Sequence, residues 1–415
     1  MSEVGAAVTA CGEAAHAGAG ALASAPAGVI DEALRGMAAL LTQAKGPLLA
    51  ANAADVAAGQ RAGLGAGLLD RLRLDEDRIA DLARQIGLLA AVPFPPGEVP
   101  VRDLPGGLRL AERRVPVGVI GANYEARPNV TVDVASQLLK SRNAGVLRTG
   151  GAALRSAAAL FDHVIVPAVT AAGLDPGTLQ LVRSADRAAA TELVRRPGLI
   201  PLVILRGSGA TTRELAAEAA RHGVRTLAHA DGGGVLYLDA AADPVMATQI
   251  IAASLDRLGV CNRLNLLLVH ERAWDTLLPA AQAAMAARGV VASLPPHSHP
   301  LGHEWALDDG REATVTVTPV AGPREAARVA NEETSGLAAS VVTGDAGAAG
   351  AFLAAYTGTG AFWNASTRLL DGFKLRGVPE TGINVDHVPG PRGPVTFPDL
   401  CLRQYVVTPA EPVGA

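Results

Sequence analysis

The stretch that decides the fold runs from residue 115 to residue 131 and reads VPVGVIGANYEARPNVT. Within it, Val117–Gly121 is a short apolar run of the kind that forms a buried strand of a parallel sheet. The pair Arg127-Pro128 follows as a turn, and apolar residues at helical spacing then predict a helix over 131–140. A strand, a turn and a helix in this order predict an α/β fold built on a parallel sheet.

The same alternation continues on both sides of this stretch. Residues 1–90 carry Ala, Leu and Ile at helical spacing, and four prolines within 92–100 end that helical region. The other predicted elements are strands at Ala144–Leu147 and Leu199–Leu205, helices at 152–172 and 212–220, a second α/β unit at about 231–362, a hairpin at 97–115 and short β segments at 385–410.

Composition places the chain among globular proteins and excludes several classes. Its 415 residues are 49% hydrophobic and 18% charged, which predicts two or three domains. A net charge of -4 gives no basic field for a nucleic acid or a membrane surface, and only 3% of residues are aromatic rings that could stack on bases. We therefore expect neither a nucleic-acid partner nor a membrane partner.

The cysteines and the amino terminus predict a cytoplasmic protein. Cys11, Cys261 and Cys401 lie far apart and form no C-x-x-C pair, which is typical of a reducing compartment. The first arginine, Arg35, comes long after the acidic Glu3, so we do not expect a secretory signal. The most apolar stretches fall short of a membrane span.

Cys261 is the candidate nucleophile. It lies directly before the apolar run 266–269, so the thiol is expected just ahead of a buried strand. A thiolate at such a position can attack a carbonyl group when the site lowers its pKa or supplies a base. The alternative is a small buried hydrophobic residue, since free cysteine is among the most buried residue types.

Several separated segments resemble one family, the γ-glutamyl phosphate reductases (glutamate-5-semialdehyde dehydrogenases), a branch of the aldehyde dehydrogenase superfamily. The resemblance spans nearly the whole chain in the family's order. The segments that carry it are 70–74, 115–131, 139–144, 147–148, 259–262, 364–368, 371–372, 380–383 and 392–394.

The resemblance implies an aldehyde dehydrogenase-like α/β fold with three parts. These are a Rossmann-like NADP(H)-binding domain over 1–230, an α/β catalytic domain over 231–363 that carries Cys261, and, after a return segment at 364–384, a small β flap. The flap would combine 385–415 with the hairpin at 97–115 and join subunits into a homo-oligomer, a dimer or a tetramer.

The activity that the resemblance implies is NADPH-dependent reduction of an acyl phosphate to an aldehyde, as in proline biosynthesis. Cys261 would displace phosphate to give a thioacyl enzyme, and hydride transfer would then release the aldehyde. A kinase would supply the acyl phosphate. The resemblance also implies a catalytic role for Asn129, near the motif that assists the oxyanion. The substrate-binding residues that it implies are Arg127, Asn262, Asn364, Ser366 and Arg368.

Cofactor residues are predicted after the strands of the first unit. Arg206, Gly207, Ser208 and Gly209 follow a strand and open a helix, which places backbone N–H groups at a phosphate. The resemblance adds Glu380, and it places Arg148 against the adenosine ribose, where with Arg155 it would pair with a 2′-phosphate. The alternatives are a simple tight turn at 206–209 and two solvated surface arginines.

Five further positions are candidate sites for which we favour a structural role. His297, His299 and His303 have a spacing that could suggest a metal, but they lack an acidic or Cys partner, so no metal is expected. His229 and Asp231 lie near where a hydrolytic aldehyde dehydrogenase has its base. We expect loop hydrogen bonds from them rather than catalysis.

The chain departs from the family pattern at positions that could read the substrate. Asp256 stands where the family has Lys, Asn265 where it has Glu, and Leu337 replaces a His, while residues 233–235 read Gly-Gly-Val. These changes predict an acyl donor with fewer or differently placed charges than γ-glutamyl phosphate. Two alternatives stay open, namely a carrier thioester as acyl donor and a catalytically silent scaffold.

Overall fold

The computed structural model describes residues 2–94, 97–229, 232–308, 310–386 and 390–410. The helices of these residues are α1 (Glu3–Ala23), α2 (Ala27–Gln43), α3 (Lys45–Arg61), α4 (Ala66–Leu72), α5 (Glu76–Ala91), α6 (Pro128–Lys140), α7 (Leu154–Leu160), α8 (Val166–Ala171), α9 (Ala188–Leu193), α10 (Gly209–Arg221), α11 (Pro244–Ser254), α12 (Trp274–Ala286), α13 (Pro323–Glu333), α14 (Ala346–Ala355) and α15 (Gly372–Arg376). The strands are β1 (Val99–Leu104), β2 (Leu108–Pro116), β3 (Val119–Tyr124), β4 (Ala144–Thr149), β5 (Leu179–Leu181), β6 (Leu202–Arg206), β7 (Arg225–His229), β8 (Gly234–Leu238), β9 (Leu264–His270), β10 (Val291–Ser293), β11 (Thr314–Val320), β12 (Ala338–Val342), β13 (Gly360–Trp363), β14 (Gly382–Asn384), β15 (Gly393–Val395) and β16 (Cys401–Pro409).

Two of the amino-terminal helices, α1 and α5, begin at side-chain caps. Ser2 accepts a hydrogen bond from the Gly5 N–H at 3.1 Å at the start of α1, and Asp75 accepts one from Arg78 at 2.9 Å at the start of α5. Such caps satisfy amide groups that have no partner within the helix. The apolar faces of α1, α2 and α5 join the large core that surrounds the first sheet.

The first sheet has five parallel strands in the order β5-β4-β3-β6-β7. The chain starts at β3, moves outward through β4 and β5, and crosses back to β6, so the direction of winding reverses beside β3. Ligands of open parallel sheets bind at the carboxyl ends of the strands where this reversal occurs. Here those ends are Tyr124 and Arg206.

The second sheet has six parallel strands in the order β10-β11-β9-β8-β12-β13. Strands β8, β9 and β12 are buried along their full lengths, which explains why they read as continuous apolar runs. The amino ends of β8 and β9 face the carboxyl ends of β3 and β6, because residues of both edges line one cavity. The predicted α/β fold with parallel sheets is confirmed, whereas the domain boundaries stay a prediction.

The hairpin and the tail form a third, antiparallel sheet in the order β1-β2-β16. Its apolar side chains are unusually exposed, among them Val99 (50%), Val101 (52%), Leu402 (53%), Tyr405 (59%) and Val407 (51%). Exposed apolar surface of this kind marks a place where another surface packs. Strands β14 and β15 form a separate two-stranded ribbon.

One helical run has the length and the apolar composition of a membrane span, which the sequence did not lead us to expect. Gly151–Ala171 is long and apolar enough to cross a membrane by length and composition alone, and half of its most apolar window is buried. Its Leu160, Val164 and Ile165 are fully buried in the core around the first sheet. The run therefore packs as a core helix, with a π-helical turn at Phe161–Ile165.

Candidate active site

Backbone hydrogen bonds fix Cys261 in the loop between α11 and β9. The Gly233 N–H donates to the Cys261 carbonyl at 2.7 Å, and the Gly234 N–H donates to the Arg263 carbonyl at 2.6 Å. A Cβ atom on Gly232 would lie 2.7 Å from the same Cys261 oxygen, and Gly233 has a φ of 104° that side chains disfavour. The glycines that depart from the family pattern therefore allow the close approach of this segment to the cysteine loop.

Side chains hold the loop from its other side. Asn262 donates to the Leu370 carbonyl at 2.8 Å, and the Thr367 hydroxyl donates to the Asn262 carbonyl at 2.8 Å. Arg368 donates to the Asn262 side-chain oxygen and, at 2.6 Å, to Asp256. Asn262 and Arg368 thus form part of one network that positions the residue beside Cys261.

Two cavities meet at Cys261. Cavity A has a volume of 270 Å³ and lies between the two sheets, with Arg71, Glu125 and His229 in its wall. Cavity B has a volume of 250 Å³ and extends along α6 and the 368–383 segment. Cys261, Arg127 and Arg206 line both cavities, so the thiol is accessible from two sides.

The two shared arginines create a positive site beside the thiol. Burial and, to a smaller extent, the neighbouring cations Arg71 and Arg206 together lower the pKa of Arg127 to about 9. The Arg206 Nε is buried without a hydrogen-bond partner, and among the described residues neither guanidinium forms an ion pair. Crowded cations that form no ion pair are suited to binding an anion.

Cavity B also contains carboxyl groups that sequence reasoning missed or assigned elsewhere. Asn129 lines cavity B rather than cavity A, and its amide donates to the Asp133 carboxylate at 2.9 Å. Burial raises the pKa of Asp133 to about 7. Burial and the neighbouring Asp371 raise the pKa of Glu380 to about 7 as well, and the Gly372 N–H donates to the Glu380 carboxylate. Asp133 could have been found from its spacing, four residues after Asn129 on the same helical face.

A third cavity lies where the first sheet predicts a ligand. Cavity C has a volume of 820 Å³ and is lined by Gly150, Gly151 and Ser208, and it shares Glu125 and Ser208 with cavity A. The predicted turn at 206–209 leads into α10, whose first amides face this space. Arg206, Gly207 and Ser208 line cavity A, while Gly209 begins α10. The lining suits an elongated dinucleotide, because cavity C continues past Glu125 and Ser208 into cavity A, which Cys261 lines.

Glu125 was not predicted as a site residue, although it lies inside the deciding stretch. The Ser208 N–H donates to its carboxylate at 3.3 Å, and a Cβ atom on Gly207 would lie 3.0 Å from its carboxyl carbon. The carboxylate therefore sits against the turn that was predicted to hold a phosphate, between cavities A and C.

The predicted roles of Arg148 and Arg155 need correction. Arg148 lines cavity C but is only 5% exposed, and it donates to the Asn123 side chain and the Asp186 carbonyl, each at 3.0 Å. Its guanidinium shapes the cavity wall, so it is neither a solvated surface arginine nor free to grip a phosphate with both nitrogens. Arg155 is not part of cavity C, and its side chain pairs with Asp55 at 3.3 Å.

Asn364 and Ser366 were predicted to bind substrate, and the structure places both away from cavities A and B. The Asn364 amide group bridges the backbone N–H and carbonyl of Thr343 at 2.9 and 3.0 Å. Ser366 pairs with Ser254 at 2.9 Å and accepts from the Arg368 N–H. Both residues support the segment that carries Thr367 and Arg368.

The histidines behave as structural residues. Burial and the cation of Arg206 lower the pKa of His229 to about 4, so its ring is neutral, and its Nδ1 lies 2.7 Å from the Ile383 carbonyl oxygen. This agrees with the expected loop hydrogen bond, while Asp231 lies outside the described residues. His299 and His303 pack edge-on against Trp305, and within the described ranges no three metal-ligating side chains are grouped to hold an ion.

The departures from the family pattern do not make the site less polar. Asn265 donates to the His303 carbonyl at 2.7 Å and accepts from the Trp305 N–H at 3.1 Å, so it holds a loop. Leu337 is fully buried in an apolar cluster against which Cys261 packs. Neither residue, nor Asp256, lines cavity A or B. Since cavity B retains four arginines and three carboxyl groups, the prediction of a less charged substrate has lost its basis.

Comparisons with known proteins agree with this architecture. The model of the aldehyde dehydrogenase family matches residues 3–298. A γ-glutamyl phosphate reductase of Clavibacter michiganensis subsp. michiganensis is 39% identical over 407 residues, covering 95% of this chain and 92% of the relative. One of Moorella thermoacetica is 37% identical over 389 residues, covering 91% of each chain. The crystal structure of the γ-glutamyl phosphate reductase of Thermotoga maritima has a TM-score of 0.85 at 27% identity, covering 97% of this chain and 98% of that one.

Proposed function

Because this chain belongs to the aldehyde dehydrogenase family, and within it to the γ-glutamyl phosphate reductases, we propose that it reduces γ-glutamyl phosphate to glutamate 5-semialdehyde with a nicotinamide cofactor. The observation that carries the proposal is that Arg127 and Arg206, which form no ion pair with another described residue, line both cavities together with Cys261. A planar guanidinium binds two oxygens of a phosphate at once, which suits an acyl phosphate better than a neutral acyl donor.

The chemistry begins at the thiol. The Cys261 thiolate attacks the acyl carbon, the C–O bond to phosphate breaks, and the phosphate leaves with the bonding electron pair beside Arg127 and Arg206. A nicotinamide cofactor, when bound, supplies the hydride that reduces the resulting thioester. The thiohemiacetal oxyanion on Cys261 then re-forms a C=O bond, the C–S bond breaks, and the aldehyde leaves. The neutral His229 is too poor a base to bring a competing water molecule into this sequence at low pH, and its Nδ1 is engaged with Ile383.

The cofactor in this proposal is NADPH, held in cavity C with its reactive end toward cavity A. The amides of the 206–209 turn and the first turn of α10 are suited to the diphosphate. Arg187 supports the preference for a 2′-phosphate. It is exposed on the wall of cavity C, and its guanidinium forms no ion pair with another described residue, whereas Arg195 and Arg221 are both paired with Glu218.

The proposal also covers the source of the substrate, the cellular compartment and the oligomeric state. A kinase supplies the acyl phosphate, because phosphoryl transfer from a nucleoside triphosphate to the carboxylate forms this mixed anhydride. The three free cysteines support work in the reducing cytoplasm. The exposed apolar face of the β1-β2-β16 sheet supports a homo-oligomer.

The reverse reaction tests the proposed function. Glutamate 5-semialdehyde and NADP should be converted only when inorganic phosphate is added, and absorbance at 340 nm follows the NADPH formed. Turnover with coenzyme A in place of phosphate would favour a carrier thioester instead. A protein that turns over with neither acceptor and does not bind NADPH would be a silent scaffold.

A further inference from the structure

Asp133 is a buried carboxyl group that the proposed chemistry leaves without a task. It lies in the middle of α6, a helix whose residues are almost all buried, and it lines cavity B together with Cys261. Only 9% of Asp133 is exposed. Among the described residues its carboxylate has one hydrogen bond, from Asn129, and no ion pair within 4.0 Å.

Such a carboxyl group is costly in the absence of a cation. Taking a carboxylate out of water destabilises the charged form unless a partner compensates, and accordingly burial raises the pKa of Asp133 to about 7. A solvated or paired aspartate would serve the fold equally well at lower cost. Perturbed groups of this kind, in a cavity beside a nucleophile, are typical of ligand sites.

Four other charged groups of cavity B are held by an ion pair or by a backbone hydrogen bond. Arg257 pairs with Asp70 at 2.9 Å, and Arg368 pairs with Asp256 at 2.6 Å. Asp371 caps α15 by accepting from the Lys374 N–H, and Glu380 accepts from the Gly372 N–H. Among the described residues this leaves Arg127 and Arg206 beside Cys261, and Asp133 along the helix, without an ion-pair partner within 4.0 Å, although the more distant charge of Arg206 lowers the pKa of Asp133 somewhat.

We infer that Asp133 binds the ammonium group of an amino-acid substrate and so selects acyl phosphates that carry an α-amino group over their deaminated analogues. The inference rests on the proposed function. The phosphate and acyl carbon lie at Arg127, Arg206 and Cys261, and the rest of the substrate extends into cavity B toward Asp133. Asn129 is then a positioning residue, because its amide fixes one carboxylate oxygen and leaves the other for the ammonium group.

The test compares two aldehydes in the phosphate-dependent reverse reaction, glutamate 5-semialdehyde and its deaminated analogue, glutarate semialdehyde. In Asp133→Asn, kcat/KM for the amino substrate should fall about 10- to 100-fold, as expected for a lost charge-assisted hydrogen bond, while kcat/KM for the deaminated substrate stays the same or rises. The matched control is Asp81→Asn, an exposed aspartate of α5 paired only with Arg84, which should change neither value.

Each outcome decides the inference. An equal fall for both aldehydes would make Asp133 a structural residue and overturn it. Inactivity of the wild-type protein with both aldehydes would instead refute the proposed function. If Asp133→Asn does not bind NADPH as the wild-type protein does, Asp133→Glu is used. This variant keeps the charge, and a preserved preference for the amino substrate supports the inference, whereas a lost preference contradicts it.

Discussion

Cys261 owes its position to its neighbours' backbones, since the hydrogen bonds from the Gly233 and Gly234 segment do not involve the sulfur atom. Removing the thiol should therefore leave the loop and the cavities in place. We predict that Cys261→Ala abolishes turnover but binds NADPH with nearly unchanged affinity, measured by quenching of the cofactor fluorescence.

The other two cysteines provide the controls for this variant. Burial raises the pKa of Cys11, and it raises the pKa of Cys401 to about 11, so neither thiol is reactive near neutral pH. Cys11→Ala and Cys401→Ala should turn over at close to the wild-type rate. Measurable turnover in Cys261→Ala would rule out the thioacyl route.

Glu380 should make the stability of the protein depend on pH. Its pKa is about 7 in the folded protein against an ordinary value of 4.5, so between these values the folded state binds more protons than the unfolded state. The free energy of unfolding is therefore highest below about pH 4.5, as far as this group is concerned, and falls as the pH rises through 7. Glu380→Gln should flatten this fall in urea unfolding at pH 5, 6, 7 and 8.

Asp133 contributes a parallel dependence, so the variant should reduce the fall rather than remove it. An identical pH profile in Glu380→Gln and wild type would show that Glu380 is not buried as a carboxylic acid. Glu3→Gln, an exposed change at the start of α1, controls for the loss of one negative charge.

At the residue scale, sequence reasoning found residues that line the cavities where a motif was local, and their roles stay a prediction. Cys261, Arg127 and Arg206 each stand next to the end of a strand, and that position alone directs them toward the cavities. Asn364 and Arg148 failed because their partners, Thr343 and Asp186, come from distant loops that no spacing reveals. The sequence spacing places Asp133 near Asn129, but what distinguishes Asp133 is the lack of an ion-pair partner among the described residues, which only the structure reveals.

At the scale of elements, Gly234 at the start of β8 sets how closely this strand can approach Arg263 and Thr367 beside the cysteine loop. A Cβ atom on Gly234 would lie 2.6 Å from the Thr367 hydroxyl and 2.8 Å from the Arg263 carbonyl oxygen. We predict that Gly234→Ala costs about 1–3 kcal/mol of unfolding free energy, measured in urea, because tightly packed groups must shift. Turnover should fall as well, since Thr367 holds Asn262.

Gly87→Ala is the matched control for this substitution. Gly87 lies inside α5 with open space where a Cβ atom would be, so alanine should stabilise the helix by about 0.5–1 kcal/mol. If Gly234→Ala and the wild-type protein were equally stable, the groups around Gly234 would be able to shift at little cost in free energy.

Most elements could be predicted because their burial is periodic or continuous. The strands β3, β4 and β6 are buried on both faces and read as apolar runs, and α6 begins at a proline. The π-helical turn at Phe161–Ile165 could not be predicted, because an apolar run fits the core with either helical geometry. The partner of the 97–115 hairpin was foreseen only from the family resemblance, since β2 and β16 are nearly 300 residues apart in the chain.

At the scale of the whole molecule, the β1-β2-β16 sheet predicts association. A three-stranded sheet that exposes Val101, Leu402, Tyr405 and Val407 needs a cover in water. We predict an oligomer at micromolar concentration in light scattering, and a shift toward monomers in the double variant Leu402→Lys/Val407→Lys. A monomeric wild-type protein would refute this role of the sheet.

Because cavities A and B meet at Cys261, the cofactor and the substrate could reach this residue from different directions. Cavities C and A form one approach to Cys261, and cavity B forms another. In the proposed function, the dinucleotide enters through cavities C and A and the acyl donor through cavity B. Neither ligand then blocks the entry of the other. If the proposed sites are right, either ligand could exchange while the other stays bound, and the acyl group on Cys261 would lie between them.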